Sequence, residues 1–247
     1  MSVKLIGRTV PVIDFGDRIS IENAEQLIVY MARVSNPESQ QAGDNPERLL
    51  AYLVRHRHWS PFEMVSLTME INAPRDISRQ ILRHRSFSFQ EFSQRYAEVT
   101  EFAERECRLQ DLKNRQSSIE CRENDKYSLW WKRIQRQLIE EMQTIYDAAI
   151  TSGIAKEVAR CILPEGLTMS RLYMHGTLRS WIHYCLVRME SGTQKEHRQI
   201  AEQCWEIVRG EFPAVVAAVD AEAAIQAKKD ELFRAWKDLM IQGEAEQ

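Results

Sequence analysis

Apolar and polar residues alternate over positions 65–72, within the run MVSLTMEIN at 64–72, and this pattern restricts the fold more than any other in the sequence. Successive side chains of a strand point to opposite faces, so this pattern predicts a strand with one apolar face. Ala73-Pro74 ends the alternation. Short apolar stretches in residues 2–13 predict another strand near the start of the chain. The apolar positions of the central strand are Val65, Leu67, Met69 and Ile71.

Helical periodicity recurs in much of the remaining chain, whereas residues 86–122 are polar and mixed, with little periodicity. Residues 36–45 are rich in Pro, Ser, Gln and Gly and predict a loop. Asn45-Pro46 places a capping side chain before a proline at the first helical position, which predicts a helix start. Residues 168–175 predict an extended segment. This mixture predicts an α+β fold, with an antiparallel or mixed sheet flanked by long helices, rather than a βαβ repeat. The predicted helices cover residues 20–34, 46–60, 75–84, 127–149, 177–190 and 196–210.

The charge balance argues against a general nucleic-acid binder. The 247 residues carry a formal net charge of -3, with 28% charged residues, whereas such binders usually have a basic excess. A local cationic pocket is compatible with this balance because it needs only a few arginines. The apolar content of 44% is ordinary for a globular protein that buries a substantial core.

The cysteines are odd in number, scattered and never spaced as CxxC, so neither a disulfide framework nor a zinc site is expected. Reduced thiols in the cytoplasm fit this pattern. The N-terminal residues do not resemble a signal peptide, and no stretch approaches the ~20 apolar residues that span a bilayer. We therefore expect no membrane association. The five cysteines are Cys107, Cys121, Cys161, Cys185 and Cys204.

Sequence motifs for metal and dinucleotide binding are also missing. The pairs His56/His58 and His175/His183 have no third ligand at a suitable spacing, so no metal site is expected. Neither GxGxxG nor GxxxxGKS/T occurs, which excludes a Rossmann fingerprint and a P-loop. A bound nucleotide would therefore be held by another arrangement.

The segment RHRSFSFQEFSQRY, residues 83–96, holds three arginines, a histidine and three serines, with phenylalanines interleaved. Arginine presents a rigid donor fork that matches phosphate oxygens two at a time. Serine hydroxyls and exposed backbone N–H groups complete an anion cradle, and Gln90 and Glu91 can hydrogen-bond ribose or base edges. This composition indicates a nucleotide or phosphate site, with a solvated, salt-bridged loop as the alternative.

The order and spacing of the polar residues in this segment also form a recognisable pattern. Arg83-His84-Arg85 is followed by Ser88, Gln90-Glu91, Ser93 and Arg95. This pattern resembles the signature of flavin-dependent thymidylate synthases. Further segments similar to that family are residues 58–63 (HWSPFE), Gln80, residues 160–164 (RCILP) and residues 177–188, within a resemblance that covers roughly residues 1–215.

The resemblance implies the conversion of dUMP to dTMP. In that reaction a methylene group comes from methylenetetrahydrofolate, and reducing equivalents come from NADPH through bound FAD. The resemblance also implies a non-Rossmann fold and a homotetramer with shared active sites. We expect a single catalytic α+β domain over residues 1–219, followed by a helical C-terminal tail over residues 220–247.

Residue roles follow from the same resemblance. Arg188 would be the catalytic residue, because a fixed guanidinium favours the ionised uracil and makes its C5 more nucleophilic. His58 would gate folate or flavin access, or it is an exposed histidine in a basic run. The residues implied for dUMP are Gln80, Arg83, Glu91, Phe92, Ser93, Gln94, Arg95, Arg160 and Arg188. Those implied for FAD are Ser60, Glu63, Arg83, His84, Arg85, Gln90, Glu91, Thr177, Leu178, Arg179 and His183.

Three departures from the family pattern concern the flavin contacts. Gln90, Thr177 and His183 stand at positions where asparagine is common in the family. Glutamine keeps the amide but adds a methylene group. These departures bear on how flavin is contacted more than on the reaction.

Two other functions stay open at the level of sequence. A related enzyme on the same scaffold would transfer a hydroxymethyl group or act on another pyrimidine nucleotide, and the same motif would bind that substrate. A non-enzymatic module would instead use the arginine-rich, phenylalanine-interleaved segment to bind RNA or a nucleotide.

Overall fold

The structure, a computed structural model, describes residues 1–12, 21–42, 45–115 and 117–245 of the chain. Its backbone divides into two compact units. The sheet unit comprises Met1–Gly7, Leu67–Gly176 and Ser180–Trp205. The helical unit comprises Arg8–Ser66, Thr177–Arg179 and Glu206–Gln247.

Helices and strands are mixed along the described residues, and the predicted α+β class is confirmed. The helices are α1 (Ala24–Ala32), α2 (Pro37–Ala42), α3 (Pro46–Arg55), α4 (Arg75–Ile81), α5 (Lys126–Thr151), α6 (Lys156–Ala159), α7 (Leu178–Arg188), α8 (Lys195–Glu211) and α9 (Pro213–Ala245). The strands are β1 (Ser2–Arg8), β2 (Ser66–Pro74), β3 (Ser88–Glu91), β4 (Arg108–Gln110), β5 (Ser118–Glu120) and β6 (Met169–Thr177). Two 3₁₀ turns cover Ser60–Glu63 and Arg160–Ile162.

The sheet unit is built on a four-stranded sheet with the order β1-β2-β6-β3. β3 lies antiparallel to β6, and Phe89 is paired with Met174 in their register. The alternation that predicts β2 is visible in its burial, because Leu67, Met69 and Ile71 are fully buried and the residues between them only partly. Full burial of such a side chain contributes roughly 1.5–3 kcal/mol. The apolar face of β2 therefore anchors the sheet.

Aromatic packing in the sheet unit supports the turn that precedes β3. Trp181 of α7 is fully buried, and its indole N–H donates to the Leu67 carbonyl oxygen at 3.2 Å. The Phe87 ring stands edge-on to the Trp181 ring, with centroids 4.8 Å apart. A Cβ atom at Gly176 would clash with the Phe87 ring, so this position of β6 requires glycine. The chain just after the Arg83-His84-Arg85 motif is thus held by buried apolar contacts.

Two elements of the sheet unit lie away from the main sheet. α5 is the predicted long amphipathic helix, and the Asp125 side chain caps it by accepting from the Tyr127 N–H at 2.8 Å. Its Met142 and Tyr146 pack into a small apolar cluster with Ala159. β4 and β5 form a separate antiparallel hairpin. The low periodicity of this region conceals the hairpin, since strands of three residues are too short to show alternation.

The helical unit is organised around packing between α3 and α9. α3 begins as its sequence predicts, with Pro46 in the first turn and the Asn45 side chain accepting from the Arg48 N–H at 3.1 Å. Its Leu50, Leu53 and Val54 side chains are buried, and those of Val215 and Val216 in α9 are buried too. The apolar residues of α3 and those of the first turns of α9 are therefore covered, whereas Leu232, Phe233 and Trp236 further along α9 are exposed.

Some secondary-structure predictions are wrong. The helix expected over residues 46–60 ends at Arg55, and the strand expected over residues 2–13 ends at Arg8. Residues 36–45 were expected to form a loop, whereas Pro37–Ala42 form the short helix α2. Proline is tolerated at the start of a helix because its missing N–H has no partner there, and the following residues, ESQQA, are compatible with a helical turn. Residues 13, 20, 43 and 44, at the edges of predicted elements, lie outside the described residues.

The predicted division at residues 219 and 220 stays a prediction. α9 continues through this point and includes the described part of the tail, up to residue 245. Within the described ranges, none of the helices combines the length and the apolar character needed to cross a membrane. The same ranges hold no cluster of three or more His, Cys, Asp or Glu side chains arranged to bind a metal ion.

Candidate active site

The Arg83-His84-Arg85 motif forms the turn between α4 and β3. The His84 N–H donates to the Ile81 carbonyl at 3.1 Å, and the Phe87 N–H donates to the His84 carbonyl at 3.3 Å. This backbone leaves Arg83 and Arg85 exposed and His84 half-buried. Within the described part of the chain, neither exposed arginine has a carboxylate partner. Both guanidinium groups are therefore available to an anionic ligand.

His84 is held by Arg188 from the last turn of α7. The Arg188 Nε–H donates to His84 Nε2 at 3.0 Å. A guanidinium group cannot accept a hydrogen bond, so Nε2 must be unprotonated and the neutral ring carries its proton on Nδ1. Partial burial, and then the positive charge of Arg188, lower the pKa of His84 below its usual value. The motif and the predicted catalytic arginine are thus in direct contact.

A run of hydrogen bonds continues from Tyr184 to Gln194. The Tyr184 hydroxyl lies 3.2 Å from His197 Nε2, and His197 Nδ1 lies 3.2 Å from Gln80 Oε1. Gln80 Nε2 donates to Gln194 Oε1 at 2.8 Å. Because an amide oxygen only accepts, His197 donates from Nδ1 and accepts the Tyr184 hydroxyl proton at Nε2. The predicted substrate residue Gln80 is thereby oriented by a buried histidine.

His197 is neutral for a clear physical reason. Only 1% of the residue is exposed. Burial, followed by the charge of Arg188 and the repulsion that a protonated His84 would add, lowers its pKa from 6.5 to about 4. The His84 ring also stands edge-on to the Tyr184 ring, with centroids 4.9 Å apart. We call the connected residues Arg188, His84, Tyr184, His197 and Gln80 the histidine network.

A buried ion pair supports the far end of this network. Gln194 Nε2 donates to Glu196 Oε2 at 3.0 Å, and Arg108 Nη2 donates to both Glu196 carboxylate oxygens at 2.7 and 2.9 Å. Burial alone would raise the pKa of Glu196, but its own backbone N–H and the Arg108 charge outweigh burial and lower that pKa. Removing one partner of a buried pair typically costs about 3–5 kcal/mol. Glu196 therefore depends on Arg108, which stands at the start of β4.

A second group of predicted substrate residues meets around Glu157. Arg95 Nε lies 3.2 Å from Glu157 Oε2, and Arg160 Nε donates to the Glu157 backbone carbonyl at 3.2 Å. The Arg95 backbone N–H donates to Ser93 Oγ at 3.4 Å. The side chains of Arg95 and Glu157 are 54% and 53% exposed. We call Ser93, Arg95 and Arg160 the anion set, because a ligand phosphate could compete with the Glu157 carboxylate for Arg95 and accept from the other two side chains.

The remaining residues of the motif segment lie on or after β3. Glu91 Oε1 accepts from the Ser170 hydroxyl at 2.9 Å and lies 3.7 Å from an Arg75 guanidinium nitrogen. Gln90 is exposed. Gln94 is 4% exposed, and its Nε2 has no hydrogen-bond partner among the described residues. Phe92 is partly buried, and its N–H donates to the Arg171 carbonyl at 2.8 Å.

Several predicted flavin residues belong to the helical unit and form a cluster of their own. Glu63 accepts from the Thr177 hydroxyl at 2.7 Å and from Arg179 Nη1 at 2.6 Å. Leu178 is buried, and its N–H donates to the Val65 carbonyl at 2.9 Å. The cluster joins a hydroxyl, a carboxylate and a guanidinium group, which suits hydrogen bonding to sugar hydroxyls or a diphosphate.

Three other predicted residues have exposed side chains. Ser60 begins a 3₁₀ turn of the helical unit, and His58 lies just before it, with its ring 6.1 Å from that of His56. His183 is on the exposed face of α7 in the sheet unit. Their positions leave the predicted roles untested.

Comparison with known proteins decides which family has this arrangement. A family model described as "Thymidylate synthase complementing protein" matches residues 19–214. A flavin-dependent thymidylate synthase from Synechocystis is 48% identical over 222 residues, covering 89% of this chain and all of the relative. The chain belongs to the flavin-dependent thymidylate synthase family. A probable member of this family from Paramecium bursaria Chlorella virus 1 is 47% identical over 221 residues, which cover 89% of this chain and 99% of the viral protein.

A solved structure of a related enzyme has a backbone similar to that of this chain. The UMP/dUMP methylase PolB from Streptomyces cacaoi, bound to 5-bromo-UMP, has a TM-score of 0.73 and 29% identity. The match covers 90% of this chain and 94% of the methylase. The match supports the predicted family fold, and membership of the family supports an enzyme over the RNA-binding alternative.

The sequence did not predict a role for five residues that form or support the histidine network. His197 falls on the apolar stripe of α8 with Ala201 and Cys204, and a polar residue on a buried face is a signal for a satisfied network. The other four residues show no such pattern, because their positions in the sequence resemble those of ordinary surface or core residues. The five residues are Tyr184, Gln194, Glu196, His197 and Arg108.

Proposed function

We propose that this protein converts dUMP to dTMP, with methylenetetrahydrofolate as the one-carbon donor and NADPH as the reductant, through bound FAD. The observation that carries the proposal is the 3.0 Å contact between Arg188 Nε and His84 Nε2. It joins the family motif to the arginine that the resemblance places at the uracil. Membership of the family supports the same reaction.

Arg188 would activate the substrate by electrostatics. Forming a bond at C5 of uracil requires electron density at that carbon, and a nearby positive charge favours the anionic form of the ring. Arginine suits this role because it cannot lose its proton in a protein. His84 Nε2 accepts the hydrogen bond from the Arg188 Nε–H. The two terminal nitrogens of the Arg188 guanidinium group would therefore face the base. Gln80, Glu91, Phe92 and Gln94 would complete the contacts to sugar and base.

The anion set would hold the dUMP phosphate. Arg95 and Arg160 provide charge-assisted donors, and Ser93 provides a hydroxyl. The carboxylate of Glu157 now pairs with Arg95. A dianionic phosphate is the stronger acceptor, so it would displace this exposed carboxylate at little cost.

The donor groups also fit an anionic dinucleotide such as FAD. Arg83 and Arg85 are exposed guanidinium groups without a carboxylate partner in the described residues, and they suit a diphosphate. Ser60, Glu63, Gln90, Thr177, Leu178, Arg179 and His183 would complete the flavin contacts, and His58 would gate access. When bound, FAD supplies hydride transfer. The protein residues position the ring and exclude water.

The organisation of the active protein is proposed on the same basis. We propose a homotetramer with shared active sites, located in the cytoplasm, with residues 1–219 as the catalytic domain and residues 220–247 as a helical tail. Reduced, unpaired cysteines support a reducing compartment. Light scattering of the purified protein tests the assembly directly.

The deciding experiment combines spectroscopy with product analysis. Purified protein should be yellow, and its flavin absorbance should bleach on addition of NADPH without oxygen. With dUMP and methylenetetrahydrofolate it should form dTMP. A 5-hydroxymethyl product would instead assign the protein to the related hydroxymethyl-transferring enzymes. Failure to bind flavin after reconstitution would remove the proposed reaction altogether.

A second substrate has a specific observation in its favour. The structural relative PolB is described as a methylase of both UMP and dUMP. The same assay should therefore include UMP at equal concentration. We expect dUMP to be preferred, and equal turnover of UMP would show that the sugar is not discriminated.

A further inference from the structure

We infer that Cys107 and Cys121 form a thiol–disulfide modification site that locks the open end of the β4–β5 hairpin. The two Sγ atoms lie 3.8 Å apart, and both cysteines are free and partly buried. A disulfide holds its sulfur atoms about 2.05 Å apart. Rotation of the two side chains can close such a gap without rearranging the hairpin.

The register of the hairpin explains why the two thiols meet. Arg108 pairs with Glu120 in the antiparallel ladder. Cys107 and Cys121 are the next residues outward on each strand, so they face each other across the hairpin end. Directly opposed residues of antiparallel strands have Cβ atoms about 4.5–5.5 Å apart, at most about 1 Å more than the 3.5–4.5 Å range found in disulfides. A bond here would therefore close the hairpin as a covalent loop.

Ion pairs already connect the two strands at the same end of the hairpin. Lys195 Nζ donates to the Glu106 carboxylate at 2.9 and 3.1 Å and to Glu120 at 2.5 Å. Its ammonium group thus bridges the residues that flank the two cysteines on either strand. Partly exposed ion pairs of this kind are weak and sensitive to salt. A disulfide would replace this reversible tie with a permanent one.

The hairpin matters because it forms one wall of a cavity of about 650 Å³. Trp130 and Trp131 of α5 line another wall, and Gln194 and Lys195 lie on the side of α8. Gln194 also accepts from Gln80 of the histidine network at 2.8 Å. Locking the hairpin would fix the cavity beside that network, whatever substrate the enzyme uses. The inference therefore goes beyond the proposed function and does not depend on it.

The chemistry requires a mild disulfide oxidant, such as oxidised glutathione. One protein thiolate attacks the oxidant and releases one glutathione thiol, forming a mixed disulfide. The second protein thiol then attacks that bond and releases the other glutathione thiol. Two electrons pass from the protein thiols to glutathione, and the two protons leave with the thiol products. Partial burial and the neighbouring Cys107 thiol raise the pKa of Cys121, so its oxidation at neutral pH should be slower than that of an ordinary exposed thiol.

Oxidation of the full-length native protein tests the inference. Fully reduced protein is incubated with oxidised glutathione, alkylated, digested and analysed by mass spectrometry. We expect a peptide that links Cys107 to Cys121 and a loss of two alkylated thiols per chain. Amide exchange of Leu109 and Ile119 should slow by about fivefold or more, because locking the end suppresses local opening.

Matched variants make the outcome decisive. Cys161→Ser removes an exposed thiol outside the pair and should leave the link intact. Cys107→Ser should abolish the link and give at most a glutathione adduct on Cys121. Independent glutathione adducts on both cysteines of the native protein, or no reaction at either, would overturn the inference. A link that forms without any slowing of amide exchange would reject the locking role.

Discussion

The histidine network and the anion set lie in the same unit of the chain but are built in opposite ways. In the network, His197 and Tyr184 are buried and uncharged, and their donors and acceptors are matched. In the anion set, Arg95 forms an exposed ion pair with Glu157. Burying a charge is expensive, whereas exposing a charged pair costs little. The first arrangement therefore fixes geometry without a ligand, and the second is suited to the proposed exchange of the Glu157 carboxylate for a ligand phosphate.

The largest effect is expected at the charged end of the network. Arg188→Ala should lower the rate of dTMP formation by about 10²–10³-fold, the range for losing a preorganised electrostatic contact. Flavin should still bind, because the substitution removes no predicted flavin residue, although His84 loses its hydrogen bond from Arg188. Arg188→Lys is the control, since it keeps the charge but loses the Nε–H that fixes His84. Full activity in the alanine variant would exclude Arg188 from the chemistry.

The neutral part of the network should appear in the pH dependence of stability. The pKa of His197 is lowered to about 4 in the folded state, whereas an unfolded histidine binds its proton near 6.5. Between these values the unfolded state holds more protons, so folding stability falls as the pH drops from 6.5 to about 4. The expected contribution is about 3 kcal/mol across this window.

A comparison of urea unfolding at pH 7 and pH 4 measures this contribution. His197→Gln keeps a donor near Gln80 but does not titrate, so its stability should fall less over the same range. Equal pH dependence of the two proteins would mean that His197 is not the group responsible.

Substitutions in the anion set should change dUMP affinity more than folding stability. Arg95→Ala should weaken dUMP binding by about 1–3 kcal/mol, the range for a charged hydrogen bond, with little change in thermal stability. Arg79→Ala is a closely matched control, because Arg79 pairs with Glu165 at nearly the same exposure, 53% and 52%. Calorimetric titration with dUMP checks both variants. Equal losses in the two would contradict a specific phosphate site.

The smallest expected effect is an increase in dUMP affinity. Glu157→Gln removes the carboxylate that competes with phosphate for Arg95, so dUMP should bind more tightly by up to about 1 kcal/mol. Glu165→Gln removes the corresponding partner of Arg79 and should leave the affinity unchanged. Weaker binding in Glu157→Gln would show that the carboxylate helps to position Arg95 instead of competing with the ligand.

The sequence predicted well those elements whose signal is periodic or local. β2 follows from strict alternation, and the start of α3 follows from Asn45-Pro46. The α2 segment was missed, because its polar composition is shared by loops and by short surface helices. The β4–β5 hairpin was missed too, because its strands are too short to show a period.

The family and the candidate anion-binding residues are readable from the sequence alone, since both depend on residue types at fixed spacing within short segments. The tertiary structure decided which of them act together. His84 and Arg188 are 104 positions apart, and Gln80 and His197 are 117 apart. Such contacts, and the lowered pKa of His197, depend on how helices and strands pack around each side chain. Spacing along the chain does not predict that packing, because hydrogen bonding and desolvation depend on the distance between atoms in the folded structure.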